Sequence, residues 1–386
     1  MGLSTYSFAL PTRVEFGAGV ISKVGEEAKK LGATKVMVVS DKGVMGAGLV
    51  KPIEESLKAA GLDYVIFSNI VANPRISGCV EGCELAQAEK VDCLVAVGGG
   101  SPMDTAKAIG VLMTHGGTVQ QWCGDHLLER EIIPLICIPT TCGTGSEVTP
   151  FAVVTDMEAH MKLNIFDEKC AAKVALIDPA VLLGLPHHVM ASTGVDALTH
   201  AVESFICTVA TPHTEACSLY AMELISKNIR DAVKNPTIEN CTGMMLGSTI
   251  AGIAFGCADC ASVHCMGEAL GGRYDTPHGV TCAVFLPGVS RYTIPAAVDK
   301  YARIALALGV NTFGMTPEEA AEAGVKAMES ICEDVGIPKF RDVPKVDPAD
   351  FPALAKAASL NVSNPSNPRP ISEEEYLKLF TDIYNA

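Results

Sequence analysis

The pattern of strand-like and helix-like segments changes once along this chain, and that change limits the fold more than any other feature. As far as about residue 180, short β-branched runs alternate with amphipathic stretches. Residues 35–40, 64–67, 93–97, 135–139 and 173–177 read as strands, and residues 50–60, 80–89 and 105–113 as helices. In the first of those helices, apolar Val50, Ile53 and Leu57 recur at i, i+3 and i+7. Such alternation builds a mainly parallel sheet with helices on both faces. After Leu185-Pro186 the strands vanish, and helical spacing continues through residues 213–229, 244–255, 296–308, 317–335 and 373–384. The expectation is an α/β N-terminal domain over residues 1–183 and an all-α C-terminal domain over residues 184–386. A chain of 386 residues is also too long for one ordinary hydrophobic core.

Charge and cysteine usage narrow the partners. The 29 Lys+Arg against 44 Asp+Glu leave a formal charge of -15, which repels phosphate backbones and anionic lipid. Neither nucleic acid nor a membrane surface is an expected partner. No apolar run approaches the ~18 residues of a membrane span, and the richest, residues 132–138, contains Pro134. Residues 1–19 lack a basic and then apolar leader, so a cytoplasmic protein with reduced thiols is expected. The 15 cysteines are irregularly spaced. Cys257-x-x-Cys260, with Cys265 nearby, is open between a zinc or redox site and buried small hydrophobes, and the lack of a second such pair favours the latter.

Two glycine-rich loops follow strands. In Gly98-Gly-Gly-Ser-Pro102 a buried strand ends in glycines that let a backbone approach a ligand, and Pro102 suits the start of a helix whose free N–H groups attract an anion. Alone this is open between a pyrophosphate cradle and a plain turn. The second loop, Pro139-Thr-Thr-Cys-Gly-Thr-Gly-Ser-Glu147, offers the hydroxyls of Thr140, Thr141 and Thr144. Together they favour a nucleotide site. Asp41 directly follows a strand, where a carboxylate accepts hydrogen bonds from a ribose diol and repels a 2′-phosphate; this favours NAD, against the alternative of a helix cap.

A second constellation lies in the helical part. Asp196 and His200 stand at i, i+4, on one helix face. Downstream, His264 and His278 flank Gly271-Gly272, where the chain is expected to reverse. Three of the nine histidines would then join one carboxylate in a mixed N/O set suited to a divalent transition metal. Fe(II) accepts five or six ligands and keeps a position open, whereas a closed four-ligand zinc site does not.

These residues carry a resemblance. The chain resembles the iron-containing (group III) alcohol dehydrogenases over essentially its whole length. The match includes Phe16-Gly-Ala-Gly19, Asn73-Pro74, Gly98-Gly-Gly-Ser-Pro-x-Asp-x-Ala-Lys107 and Pro139-Thr-Thr-x-Gly-Thr-Gly-Ser-Glu147. It continues through Asp178-Pro179, Asp196-Ala-x-Thr-His200, Pro277-His-Gly279 and Asn367-Pro-Arg369. The resemblance implies a dinucleotide-binding domain, a helical metal-binding domain and a homodimer or larger homo-oligomer. It implies metal ligands Asp196, His200, His264 and His278, holding Fe2+ with Zn2+ as a competitor. It implies NAD contacts from Asp41, Asn73, Gly99, Gly100, Ser101, Thr140, Thr141, Thr144 and Lys162, and a pocket wall at Phe255. The implied reaction is hydride transfer between NAD and a small primary alcohol or aldehyde whose oxygen meets the metal.

Departures from the family pattern leave three roles open. Better-known members carry a second histidine four residues after the one matched by His264; here it is Glu268, open between a proton relay, a pairing with Arg273 and a substrate contact. Many relatives have a cysteine where this chain has Ser363 in the implied pocket wall. Arg273, often uncharged in the family, is open between binding the anionic tail of a sulfonate or carboxylate aldehyde, a salt bridge to Glu268 and a surface position. Rival readings are a glycerol-dehydrogenase-like polyol dehydrogenase and a non-catalytic NAD or metal sensor, which the full ligand set disfavours.

Overall fold

The computed structural model describes residues 5–158 and 161–386. The chain divides into two compact units: Leu10–Leu185, and Pro186–Ala386 together with the stretch that ends at Ala9.

In the first unit the elements run β1 (Arg13–Phe16), α1 (Val24–Lys30), β2 (Lys35–Val39), α2 (Lys42–Gly46), α3 (Lys51–Ala59), β3 (Asp63–Phe67) and α4 (Ile76–Ala88). They continue with β4 (Cys93–Gly98), α5 (Gly100–His115), β5 (Gly124–Asp125), β6 (Leu135–Pro139), β7 (Phe151–Asp156), β8 (Met161–Phe166) and β9 (Val174–Ile177). Six strands form one parallel sheet in the order β1-β9-β6-β4-β2-β3. The chain goes outward from β2 to β3, returns to β4, and then proceeds through β6 and β9. Its direction across the sheet therefore reverses between β2 and β4, and in such sheets the ligand crevice lies outside the carboxyl ends of the strands at that reversal. Asp41 and the Gly98 loop follow those two strands.

Both faces of the sheet are covered. Met37, Val39, Leu94, Ala96, Leu135 and Cys137 join one buried cluster, and Val36, Val38, Val95, Val97, Ile136 and Ile138 the other. This is why the strands read as continuous apolar runs rather than as alternating ones. A second, three-stranded sheet, β5-β8-β7, was not anticipated, nor was β1. In it β7 and β8 pair antiparallel with each other, from Phe151 opposite Phe166 to Asp156 opposite Met161, while β5 is two residues long.

The second unit runs α6 (His187–Ile206), α7 (Pro212–Lys234), α8 (Ile238–Gly256), α9 (Ser262–Tyr274), α10 (His278–Thr293), α11 (Val298–Ala307), α12 (Pro317–Asp334), α13 (Phe351–Ser359) and α14 (Glu373–Asn385). Capping boxes at Thr211, Thr237, Thr316 and Ser372 start α7, α8, α12 and α14. Almost all of α6 from Met190 onward is buried, as expected of a helix packed on every side. The expected reversal at Gly271-Gly272 is corrected: both glycines lie inside α9. The chain turns instead at Asp275, whose φ is 56°, and Pro277 then caps α10. Tyr6 places its hydroxyl 2.9 Å from His213 Nδ1, and Phe8 stacks on that ring. Among the described residues, no helix is long and apolar enough to cross a membrane. All fifteen cysteines are free thiols.

Candidate metal centre and nucleotide cradle

In the helical unit, three elements bring four of the expected residues together. Asp196 and His200 lie one turn apart on α6, His264 in the first turn of α9, and His278 at the first position of α10. Asp196, His200 and His264 are buried, and His278 is partly so. His278 Nε2 is 3.7 Å from Asp196 Oδ1. The His264 ring stacks on His200 at 4.6 Å and lies 5.4 Å from that of His278. Ligand atoms of Asp196, His264, His278 and Cys282 all lie within 4.8 Å of one another, as do those of His200, Cys260 and His264. Phe255, expected as a pocket wall, stacks on His200 at 4.1 Å with ring planes 7° apart.

Close packing of α10 on α6 makes this convergence possible. A Cβ at Gly279 would lie 2.6 Å from the Ser192 carbonyl oxygen, so only glycine allows His278 to approach Asp196 this closely. A Cβ at Gly194 would likewise meet Met244 at 2.8 Å and Ile229 at 2.9 Å.

Glu203, missed in the sequence, organises the centre. It follows Asp196 by seven residues and His200 by three, and so continues their face of α6. Its carboxylate accepts the backbone N–H groups of Ala261 (3.0 Å), Val263 (2.6 Å) and His264 (3.3 Å), groups at the start of α9 with no helical partner of their own. It also lies 2.6 Å from His264 Nδ1. A carboxylate can only accept, so Nδ1 keeps the proton, and Nε2 is the ring atom left to offer a lone pair to a cation. That Nε2 is buried without a hydrogen-bond partner, an arrangement that costs free energy unless something electron-poor meets it. The donor set of imidazole, carboxylate and a neighbouring thiol fits a divalent transition-metal ion.

Cys282, one turn after His278, is fully buried with Sγ 3.7 Å from His278 Nε2. Burial pushes its thiol up to about 11. Cys265 is buried, and so is Cys260, which also stands with His200 and His264 in one set of possible ligand atoms; Cys257 is only half-buried, with Sγ 3.1 Å from the Ala9 carbonyl oxygen.

The open roles are partly resolved. The Glu268–Arg273 pairing does not form: Glu268 Oε2 accepts from Asn361 Nδ2 at 2.7 Å. Arg273 is exposed and pairs with Asp350 at 2.7 Å; the Tyr274 hydroxyl and the Arg273 guanidinium hold the Asp350 carboxyl below its usual range. Of the three roles left open for Arg273, the surface position is the one it occupies, with its guanidinium engaged by Asp350. Ser363 donates its hydroxyl to Asp259 at 2.8 Å, and burial raises that carboxyl despite hydrogen bonds from Ser366 and Ser363.

In the α/β unit the two glycine-rich loops form one surface at the sheet's carboxyl edge. Gly98 takes φ 154°, and Gly99 opens α5 without a side-chain cap, leaving the first N–H groups of a sixteen-residue helix available to an anion. Thr140 N donates to the Gly98 carbonyl at 2.9 Å. Cβ atoms at Gly99 and Gly100 would meet Thr141 at 3.3 Å and Thr144 at 3.0 Å, so the loops pack closely at these glycines and a side chain there would press the threonines aside. Ser101 is in the first turn of α5, and Thr141 Oγ1 is buried without a hydrogen-bond partner.

Beneath the loops, fully buried Lys107 donates to the carbonyls of Ser146 (2.7 Å), Thr149 (3.1 Å) and Phe151 (2.7 Å). Asp104 binds Ser146 Oγ at 2.6 Å and Val153 N at 3.1 Å; burial raises its carboxyl, with Lys107 opposing. Lys162, on β8, also acts on that carboxyl. Asp41 caps α2, with Oδ1 accepting from Gly43 N at 2.8 Å and Val44 N at 2.9 Å. Asn73 holds a left-handed φ of 54°.

Comparison with known proteins places this architecture. The model of the "Iron-containing alcohol dehydrogenase" family matches residues 11–179, and that of the "Fe-containing alcohol dehydrogenase family, C-terminal" matches residues 190–384. The chain is 39% identical to a choline dehydrogenase of Bacillus subtilis, over 98% of this chain and 95% of that one. It is 38% identical to a 1,3-propanediol dehydrogenase of Citrobacter freundii, over the full length of both. A crystal structure of a 1,3-propanediol oxidoreductase superposes with a TM-score of 0.96 at 37% identity, over 98% of this chain and 100% of that one. The chain belongs to the iron-containing alcohol dehydrogenase family. It is an oxidoreductase acting on alcohols or the corresponding aldehydes.

Proposed function

We propose that this enzyme exchanges hydride between NAD(H) and a small primary alcohol or its aldehyde, using a divalent cation held by Asp196, His200, His264 and His278. The observation that supports this most is the partnerless, buried Nε2 of His264 within the Asp196–His278 cluster. Fe2+ is the proposed ion on the family's name, with Zn2+ as its competitor. When bound, the cation supplies a Lewis acid for the substrate oxygen, and NAD supplies the hydride acceptor or donor.

The chain's own residues do the rest. Glu203 holds the proton on His264 Nδ1 and fixes the ring. Gly99, Gly100, Ser101, Thr140, Thr141 and Thr144 are proposed to cradle the pyrophosphate, with Asn73 and Lys162 beside them. Asp41 is proposed to accept from the ribose diol. Glu268, oriented by Asn361, is the carboxyl group proposed to contact the substrate or relay its proton. Choline and 1,3-propanediol, in the names of two relatives, both carry a primary hydroxyl, which supports that substrate class. The reading includes a cytoplasmic location, in line with fifteen free thiols, and a homodimer or larger homo-oligomer.

The test is a panel of short neutral and anionic aldehydes assayed for NADH consumption after anaerobic reconstitution of the apoenzyme with Fe2+ or Zn2+. Turnover is expected only with a cation, and His278→Ala is expected to lose both metal and activity. A metal-free His278→Ala enzyme with full activity overturns the scheme.

A further inference from the structure

The metal centre proposed above uses nitrogen and oxygen donors, yet the buried cluster also contains sulfur. Cys282 lies on α10 one turn after His278, which puts the two side chains on one face of that helix. Its Sγ is 3.7 Å from His278 Nε2, and it belongs with Asp196, His264 and His278 to one set of ligand atoms within 4.8 Å of each other. Cys282 is fully shielded from solvent. His264, a member of the same set, has its Nε2 buried without a hydrogen-bond partner, the observation that points to a ligand there. The other nearby thiol, Cys260, forms a second set with His200 and His264, two of the four proposed ligands, so it is the competing sulfur donor that the test must separate from Cys282.

We propose that the Cys282 sulfur is a further donor of this metal centre, so that the cation is held by sulfur as well as by nitrogen and oxygen. The inference rests on the metal-centre reading and specifies its ligand set. Coordination breaks the S–H bond as the S–metal bond forms; the proton leaves to solvent, and no electron is transferred. A thiolate is a soft donor, and adding one to the imidazole and carboxylate set strengthens the site for Zn2+, the competitor named above.

Cobalt reads this directly, because Co2+ shows visible d–d absorption whatever its ligands and a near-ultraviolet charge-transfer band only with bound thiolate. The chelator-stripped full-length enzyme is titrated with Co2+, alongside Cys282→Ala, Cys282→Ser and Cys260→Ala. The expected result is one Co2+ per chain with both features in the wild type and in Cys260→Ala. Both Cys282 variants are expected to keep the cobalt and its d–d absorption while losing the charge-transfer band. The serine variant preserves volume, so a folding failure of the alanine variant leaves the test decisive. A wild-type enzyme that binds cobalt without the band overturns the sulfur donor, as does a band that survives Cys282→Ser. A wild-type enzyme that retains no cobalt by metal analysis after desalting overturns the metal centre, and the sulfur donor with it.

Discussion

Glu203 Oε2 lies 2.6 Å from His264 Nδ1, and this contact decides which nitrogen of the ring faces the Asp196–His278 cluster. The same carboxylate takes three backbone N–H groups at the start of α9. Replacing it with alanine strands all four donors in a buried site, which costs about 1–3 kcal/mol for each group left unsatisfied. Metal affinity is expected to fall about 10–100-fold, as is usual when a ligand's hydrogen-bond partner is removed. Glu203→Gln retains an acceptor oxygen and falls between. Chelator competition and thermal melting check both effects, and a Glu203→Ala enzyme with wild-type metal affinity refutes this role for Glu203.

Asp41 caps α2 and is proposed to meet the ribose, and one substitution separates the two. It caps α2 through Oδ1, so the simplest charge deletion, Asp41→Gly, loses the cap together with the charge. Asparagine caps about as well as aspartate. Asp41→Asn should therefore melt close to the wild type while the ratio of kcat/KM for NADPH to that for NADH rises, because a 2′-phosphate no longer meets a negative charge. An unchanged ratio would show that Asp41 does not reach the ribose.

How much of this was legible in the sequence depends on whether the signal was local. The strands ending at Val39, Gly98 and Pro139 and the loops after them were readable because glycine and proline mark backbone geometry where they stand. The β7–β8 hairpin was not, because its strands pair mainly with each other outside the main sheet and break the βα rhythm that located the rest. Gly271-Gly272 misled because turn chemistry resided in Asp275 and Pro277, while helix α9 tolerated the two glycines. In the metal cluster, Asp196 and His200 could be paired by helical spacing alone. Relating them to His264 and His278 rested on an expected reversal at Gly271-Gly272 that does not occur there, and on family resemblance, since no local rule links residues so far apart. Glu203 and Cys282 share faces with Asp196 and with His278, but a face becomes meaningful only once it is known what it packs against.

Arg273 tests whether the surface ion pair with Asp350 is all that this residue does. With the guanidinium committed to Asp350 and exposed to solvent, removing it should not discriminate between substrates. Arg273→Ala is expected to leave the ratio of kcat/KM for an anionic over a neutral aldehyde where it was. A selective loss on the anionic aldehyde would instead require the arginine to leave Asp350 and reach the substrate.

Gly279 is the position where packing and chemistry meet. A methyl group there would lie 2.6 Å from the Ser192 carbonyl oxygen and 2.9 Å from its carbon. These are backbone atoms that no rotamer change can move aside, so α10 must shift away from α6. The shift carries His278, the neighbouring residue, away from Asp196. Gly279→Ala should therefore lose about 1–3 kcal/mol of stability, the usual range for overpacking, and show reduced metal content after reconstitution. Its NADH affinity should be unchanged, because the proposed cradle is built from other elements. Gly184→Ala, where an added Cβ meets nothing within 4 Å, is the control and should match the wild type in melting and metal content. If Gly279→Ala melts lower yet loads a full complement of metal, the His278–Asp196 approach does not depend on how tightly α10 packs against α6.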